Sequence, residues 1–179
     1  MFAVGLVLLC LVGAATLQAK LYQRHAKQLL QSELQRASVS KVVHPHAQIK
    51  ENDVLGRLDI PRVGVSVAVL QGTGSRTLRL GTGHIESTSF PEDSGNVGIA
   101  GHRDTFFRAL RDIRKNDEIQ LQTATGLFHY RVDWIRVVTP DDVSVLAPSA
   151  EAALTLVTCY PFQFLGAAPK RFIVRAHQY

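Results

Sequence analysis

The hydrophobic and polar positions divide the chain into an apolar N-terminal run, a polar middle segment and a series of short apolar runs. Residues 1–19 contain no charged side chain and are long enough to cross a bilayer as one helix. Residues 20–36 carry a partial helical stripe of leucines, which predicts a helix, and 38–50 show no period, which predicts a linker. From residue 51 onward the pattern is typical of β-strands.

Seven short apolar runs predict strands after residue 51, and glycine- or proline-containing steps separate them. Three further segments are typical of short helical turns. Many short strands with only brief helices favour a mainly all-β domain, either a small closed barrel or a sandwich. The predicted strands cover 54–60, 65–70, 97–100, 118–122, 127–138, 154–158 and 172–176, and the predicted turns cover 77–80, 106–113 and 141–146.

The net charge of +5 is confined to one part of the chain. Residues 20–50 hold six basic side chains against one acidic side chain, whereas 51–179 hold fourteen of each kind. The folded part therefore has no bulk basic field, which argues against nucleic-acid binding. A basic stretch beside an apolar helix is typical of membrane proteins. We predict a transmembrane anchor over 1–19, a basic stalk or linker over 20–50 and a catalytic or binding domain over 51–179.

Two interpretations of residues 1–19 compete. A cleaved signal peptide would need a basic start and a small-x-small site before Lys20, and the sequence has neither. A retained single-pass anchor fits the run better. The positive-inside rule places the side of Lys20 and Lys27 in the cytoplasm, so charge alone does not fix the orientation of the anchor.

Cys159 is the one cysteine of the predicted folded part. It follows the apolar run 154–158 and precedes Pro161, which places its thiol at the end of a strand. A buried, inert cysteine is the alternative. A nucleophilic cysteine needs a neighbouring base, because the free thiol has a pKa of about 8.5 and is mostly protonated at neutral pH.

His102 and Arg171 are the candidates to assist such a thiol. His102 ends the glycine-rich run 95–102, and His84 is the second choice among the histidines. Arg171 opens the last predicted strand, where its charge could stabilise a developing oxyanion, although a solvated edge arginine is the alternative. Sequence spacing alone does not show whether the three groups meet, because catalytic groups converge in space.

The sequence contains no metal or nucleotide motif of recognised spacing. CxxC, HExxH and Walker A patterns are absent, and Gly72-Thr73-Gly74 lacks the third glycine of a dinucleotide fingerprint. His44 and His46 could bind a metal in principle, but a solvated linker is the favoured interpretation. We therefore predict neither a metal nor a cofactor.

Three segments together resemble a known family. Residues 155–161, Thr-Leu-Val-Thr-Cys-Tyr-Pro, resemble the TLxTC signature of sortases, which are membrane-anchored cysteine transpeptidases. Residues 98–107 resemble the segment that carries the catalytic histidine of that family, and 168–174 resemble the segment that carries its arginine. The motifs occur in order between residues 53 and 176, and their flanking details are most like class D sortases.

The resemblance implies an eight-stranded β-barrel on the outer side of the cell membrane. It implies that Cys159 attacks the Thr–Gly carbonyl of an LPxTG-like sorting signal, and that an amine, often of a cell-wall peptide, resolves the thioacyl-enzyme. His102 would be general acid and base, and Arg171 would hold the substrate or stabilise the oxyanion. Two alternatives stay open, namely a cysteine protease that only hydrolyses the intermediate and a non-catalytic, membrane-tethered binding module.

Five further residues receive secondary roles. Thr158 could orient Arg171 or contact the peptide, and Asp104 could bind Arg171 or cap the turn over 105–112, with capping favoured. The groove for the leucine and proline of a sorting signal should be apolar. Its candidate wall residues, for which core packing is the alternative, are Val143, Leu146 and Phe162.

Overall fold

A computed structural model describes residues 2–37, 49–163 and 166–179, with the side chains of the N-terminal helix described at 13–14 and 17–32. One long helix, α1 (Phe2–Ala37), precedes eight strands and a second, short helix, α2 (Ser75–Leu80). Single 3-10 turns cover Pro61–Val63, Arg108–Asp112 and Val143–Leu146. The strands are β1 (Val54–Ile60), β2 (Val65–Gln71), β3 (Thr82–His84), β4 (Asn96–Ala100), β5 (Glu118–Thr123), β6 (Leu127–Val138), β7 (Ala153–Tyr160) and β8 (Lys170–Gln178).

The eight strands close into a barrel in the order β1-β2-β3-β4-β7-β8-β6-β5. Two neighbouring pairs, β2 with β3 and β4 with β7, are parallel, and the other pairs are antiparallel. The predicted eight-stranded barrel is thus confirmed. Strand β3 is the one that the hydrophobic pattern did not predict, because three residues are too few to show a period.

Alternate positions of the strands fill the barrel with apolar side chains. In β7 and β8 these are Leu154, Leu156, Val174 and Ala176, each with no exposed surface. Phe107, from the connection after β4, is equally buried in the same core. Full burial of a side chain such as leucine stabilises the fold by about 1.5–3 kcal/mol. The repeated alternation therefore determines which face of each strand points into the core and which face points outward.

Helix α1 packs against the barrel over part of the segment that the sequence indicated as a stalk. Ala26 and Leu30 are only 2% and 3% exposed. The side-chain amide of Gln23 accepts a hydrogen bond from the Ala68 N–H at 2.8 Å and donates one to the carbonyl of Leu80. This part of α1 therefore belongs to the folded unit and does not form a free spacer.

Within the described parts of the chain, no helix has both the length and the apolar character needed to cross a bilayer. The anchor over 1–19 stays a prediction. The linker residues His44 and His46 lie outside the described residues.

An ion pair between exposed Arg62 and buried Asp117 joins the turn after β1 to the turn before β5. The Arg62 guanidinium donates to both carboxylate oxygens of Asp117, at 2.5 and 2.6 Å, and to the carbonyl of Asp112. The Arg114 N–H donates to the same carboxylate at 2.7 Å. The hydrogen bond from Arg62 and that from the Arg114 backbone hold the pKa of Asp117 below its ordinary value.

This pair predicts an acid-sensitive contribution to stability. A carboxylate whose folded pKa is lowered stabilises the fold fully above its unfolded pKa of about 4, and the contribution is lost as pH falls through the folded value. Asp117→Asn should therefore lower the thermal unfolding midpoint at neutral pH. Because the variant has already lost this carboxylate, its unfolding midpoint should also drop less than that of wild type when the pH is lowered. Circular dichroism on the full chain in detergent measures both midpoints. Asp112→Asn, at an exposed carboxylate, is the matched control and should change neither quantity. An acid profile of Asp117→Asn identical to wild type would contradict the assignment.

Candidate active site

Cys159 and Arg171 are direct partners in the antiparallel pair of β7 and β8. Residues paired in this way point to the same face of a sheet, with Cβ atoms about 4.5–5.5 Å apart. That face is the outside of the barrel, because Leu156 and Thr158, which alternate with Cys159, are buried. Both Cys159 and Arg171 are half-buried. Cys159 and Arg171 are therefore neighbours on the outer surface of the barrel.

His102 reaches the same strand end from the other side of β7. Strand β4 runs parallel to β7 with Ala100 opposite Val157. One residue later, the Gly101 N–H donates to the Val157 carbonyl at 3.1 Å. Because His102 follows Gly101 directly, it lies beside the Cys159 end of β7, and its side chain is exposed. The three residues predicted from the sequence thus occupy one end of three adjacent strands.

Thr158 ties the cysteine strand to the histidine segment. Its hydroxyl, in a side chain only 2% exposed, donates to the Gly101 carbonyl at 2.7 Å. The Thr158 hydroxyl is therefore bonded to Gly101 and not to Arg171, whereas a contact with the peptide stays a prediction. It holds the residue before His102 against the residue before Cys159.

The Arg171 guanidinium is held by carbonyls of its own segment. Its Nη1 donates to Ala168 at 3.2 Å and to Lys170 at 3.0 Å. Across the site, Arg103 Nη2 donates to the Gly166 carbonyl at 3.1 Å, so the segment after His102 is joined to the connection between β7 and β8. These contacts set the side chain of Arg171 beside the thiol without an acidic partner in the described part of the site.

The connection before β4 and the connection before β7 cover the outer faces of these two strands and form two walls. They meet over Gly98, where an added Cβ would lie 2.9 Å from Thr88 Cγ2 and 3.2 Å from both Ile85 Cδ1 and Leu146 Cδ2. Any larger residue at position 98 would push the walls apart. Leu146, a predicted groove residue, therefore lies in a wall, and Val143 in the same turn is 70% exposed and accessible to a ligand.

A buried polar network fixes the wall that contains Leu146. Asn96 Nδ2 donates to the carbonyls of Val145 and Ala147, each at 3.2 Å. Thr155 donates to Asn96 Oδ1 at 2.7 Å and accepts from Arg175 at 3.0 Å. Burial lowers the pKa of Arg175, but a guanidinium stays charged at any physiological pH. Sequence reasoning missed this network, for which the only signal was a polar Asn opening an otherwise apolar strand.

His84, the second-choice histidine, supports the other wall. It is 1% exposed, with Nδ1 3.0 Å from Gln71 Oε1 and Nε2 3.0 Å from the Ser89 carbonyl. Its ring stacks on Phe90 with centroids 4.7 Å apart. A ring buried in this way is not accessible to a substrate, so His84 holds the connection between β3 and β4 in place.

Two of the secondary expectations differ from the structure. The 3-10 turn after His102 begins at Arg108 with Phe107 as its N-terminal cap and no side-chain cap, so Asp104 does not cap it. The reason is that the turn begins later than the sequence pattern suggested. Phe162 packs edge-on against Tyr160 and Phe172, at centroid distances of 6.0 and 5.1 Å, and against the barrel core. Phe162 therefore packs against the core, which was the alternative for this position.

Among the described residues, no cluster of three or more histidine, cysteine or carboxylate side chains is arranged to hold a metal ion. Glu92, from an acidic stretch of the connection between β3 and β4, instead accepts a hydrogen bond from Thr125 at 2.7 Å. The surface thus carries a half-buried cysteine, with a histidine at the end of one neighbouring strand and an arginine at the end of the other. Such a set can form and resolve a thioester.

Comparison with known proteins gives one consistent result. The family model described as "Sortase domain" matches residues 58–179. Sortase D of Bacillus subtilis is 36% identical over 120 residues, which cover 66% of this chain and 61% of that protein. The chain thus spans about three fifths of this curated relative.

Solved structures agree. A Clostridium perfringens "Sortase D5 transpeptidase" superposes with a TM-score of 0.71 at 28% identity, covering 89% of this chain and 97% of the other. Sortase A of Corynebacterium diphtheriae gives a TM-score of 0.68 at 25% identity, covering 93% of each chain. Residues 58–179 contain the three strand ends described above and the barrel from within β1 onward, and the chain therefore belongs to the sortase family, with sortase D proteins among its relatives.

Proposed function

We propose that this chain is a cysteine transpeptidase that cleaves an LPxTG-like sorting signal between threonine and glycine and transfers the protein to an amine. The observation that carries the proposal is the placement of Cys159 between two partners. Arg171 is its register partner on β8, and His102 follows the residue that is hydrogen-bonded to β7. A thiol flanked in this way has both a proton carrier and a positive charge within one surface.

In the first half-reaction the Cys159 thiolate attacks the threonine carbonyl carbon, and the carbonyl oxygen becomes an oxyanion. Arg171 lies on the same outer face and supplies positive charge where that oxyanion develops. The C–N bond then breaks, and protonated His102 gives its proton to the departing glycine amine. The products are a thioacyl-enzyme and the freed C-terminal fragment.

In the second half-reaction an incoming amine attacks the thioester carbon. Neutral His102 takes a proton from that amine, the C–S bond breaks, and Cys159 leaves as thiolate. Atoms and charges balance without a cofactor. The acceptor we propose is the amine of a cell-wall peptide. The predicted anchor would hold the enzyme in the cell membrane as a single-pass protein, with its barrel outside the cytoplasm.

The walls over Gly98 support recognition of an extended, partly apolar peptide. Val143 and Leu146 offer apolar contacts on one side, and the network around Asn96 keeps them in place. A wall that is already ordered lowers the ordering cost of binding a peptide. The alternative product, a free acid made by water, would make the chain a cysteine protease with the same thioester intermediate.

The direct test uses the full chain in detergent, because Ala26 and Leu30 of α1 are packed on the barrel and their removal would expose it. Incubation with an LPxTG peptide and triglycine should give an amine adduct by mass spectrometry, and Cys159→Ala should reduce it to background. Cleavage to the free acid alone would favour the protease. If no related peptide is cleaved and the Cys159 thiol also resists alkylation, the proposal is wrong. The non-catalytic binding module would then be the better interpretation.

The Thr158 hydroxyl should affect the rate of catalysis by positioning His102 and not by taking part in the reaction. Thr158→Val keeps the shape but loses the hydrogen bond to Gly101, which is worth about 1 kcal/mol, so kcat should fall about 5-fold with little change in KM. Thr158→Ser retains the hydroxyl and should recover most of the loss. Steady-state peptide cleavage measures both. Equal activity of Thr158→Val and wild type would show that the hydroxyl does not position His102.

Asp104 should contribute little. Its side chain is exposed, and no ion pair joins it to Arg171 among the described residues. Asp104→Asn should keep kcat/KM within about two-fold of wild type, as is usual for surface positions. A loss beyond about ten-fold would instead indicate that the Asp104 carboxylate acts on Arg171 or the substrate once a peptide is bound.

A further inference from the structure

An open cleft lies between α1 and α2, apart from the active site. Its volume is about 510 Å³. One side is a face of α1, and the other is α2, which contributes Arg76 and Leu80. The α1 residues that line it are Ala14, Leu17, Gln18, Leu21, Tyr22 and His25.

The α1 side of the cleft presents two exposed leucines, and α2 adds the basic side chain of Arg76. Leu17 and Leu21 are 58% and 54% exposed, although each is a large apolar side chain. Arg76 is exposed and close enough to Tyr22 to lower the pKa of its phenol, although burial is the larger effect and raises that pKa. Arg79 is exposed on the same short helix. Exposed leucines beside arginines suit a ligand with a hydrocarbon part and an anionic head.

The orientation of the cleft is fixed by contacts deeper on the barrel. The Gln23 amide bridges the Ala68 N–H and the Leu80 carbonyl, and Ala26 and Leu30 bury the next two turns of α1. Because Gln23 binds the last residue of α2, it sets α2 directly against α1. The cleft is therefore built into the packed structure and does not depend on a free spacer.

The position of the cleft along α1 points to its ligand. It begins at Ala14, inside the uncharged run 1–19, and ends at His25, among Lys20, Arg24 and Lys27. In a helix that enters a bilayer, this change from apolar to basic residues falls at the headgroup level. Basic side chains near an anionic bilayer surface are attracted by it, and arginine suits a phosphate in particular.

We propose that the cleft between α1 and α2 binds an anionic phospholipid of the membrane that holds α1. Arg76 takes the headgroup phosphate, and Leu17 and Leu21 contact the upper part of the acyl chains. The barrel then rests directly on the membrane with α2 at the headgroups. The inference uses the predicted anchor but not the proposed peptide chemistry.

The chain offers an internal control for the test, because Trp134 is its one tryptophan. Trp134 lies on β6, and α2 leads into β3, which is four strands from β6 in either direction around the closed barrel. Trp134 should therefore face away from a membrane that contacts α2. In a Trp134→Phe background, Ser75→Trp places a reporter at the first residue of α2, where the side chain is exposed.

The full chain would be reconstituted in nanodiscs of phosphatidylcholine containing a headgroup nitroxide lipid, with increasing phosphatidylglycerol. We expect the α2 reporter to be quenched increasingly as phosphatidylglycerol rises, and Trp134 in the wild type to be quenched little. Arg76→Gln should raise the phosphatidylglycerol fraction needed for half-maximal quenching several-fold. Arg111→Gln, the same charge change at an exposed arginine on another turn, should leave it unchanged.

Three results would overturn the proposal. They are equal quenching of the two tryptophans, quenching that does not depend on phosphatidylglycerol, and a response that Arg76→Gln leaves intact. Peptide cleavage in detergent would be measured on the same variants and should equal that of wild type, since none of these residues touches the active site. If a variant lost peptide cleavage, it would be misfolded, and circular dichroism would detect this. Failure of the lipid site can therefore be distinguished from failure of the peptide chemistry.

Discussion

The parallel pairing of β4 with β7 is the constraint on which the site depends. It brings a segment that ends at His102 alongside the strand that ends at Cys159, although more than fifty residues separate them in the sequence. Two hydrogen bonds continue the pairing past the last ladder position, one from the Gly101 N–H and one from Thr158. Since β8 pairs with the other edge of β7, a single strand determines the relative positions of all three candidate catalytic groups.

The pairing of β4 with β7 requires glycines at two positions where other side chains pack closely against the backbone. An added Cβ at Gly101 would lie 2.7 Å from Phe107 Cδ2, inside the van der Waals distance, and Phe107 is fully buried. At Gly98 the obstacle is on the outer side, where the two walls meet. The strand leading to His102 thus carries apolar side chains inward and almost none outward.

Much of this architecture could be predicted from the sequence, because it follows from alternation and strand-breaking residues. Most strand ranges agree within one or two residues, and the end of β7 before Pro161 was visible as a point where the pattern stops. Strand β3 was not visible, since Thr82–His84 is held by neighbours and not by its own period. The capping role given to Asp104 failed because a 3-10 turn can begin several residues later than its composition suggests. The hydrogen bond from Thr158 to Gly101 joins residues that are far apart in the sequence, so no local sequence pattern could predict it.

The Gln23 contact also bears on how the isolated barrel would behave. Ladder pairing between β2 and β3 begins only at Val69 and Thr82, so the Ala68 N–H and the Leu80 carbonyl lie just before it and take their partners from α1. Removal of α1 would leave this short stretch of backbone open, together with the apolar surface that Ala26 and Leu30 cover. Unpaired backbone beside apolar surface favours association between chains. A truncated barrel would therefore be prone to self-association for a reason unrelated to its catalytic face.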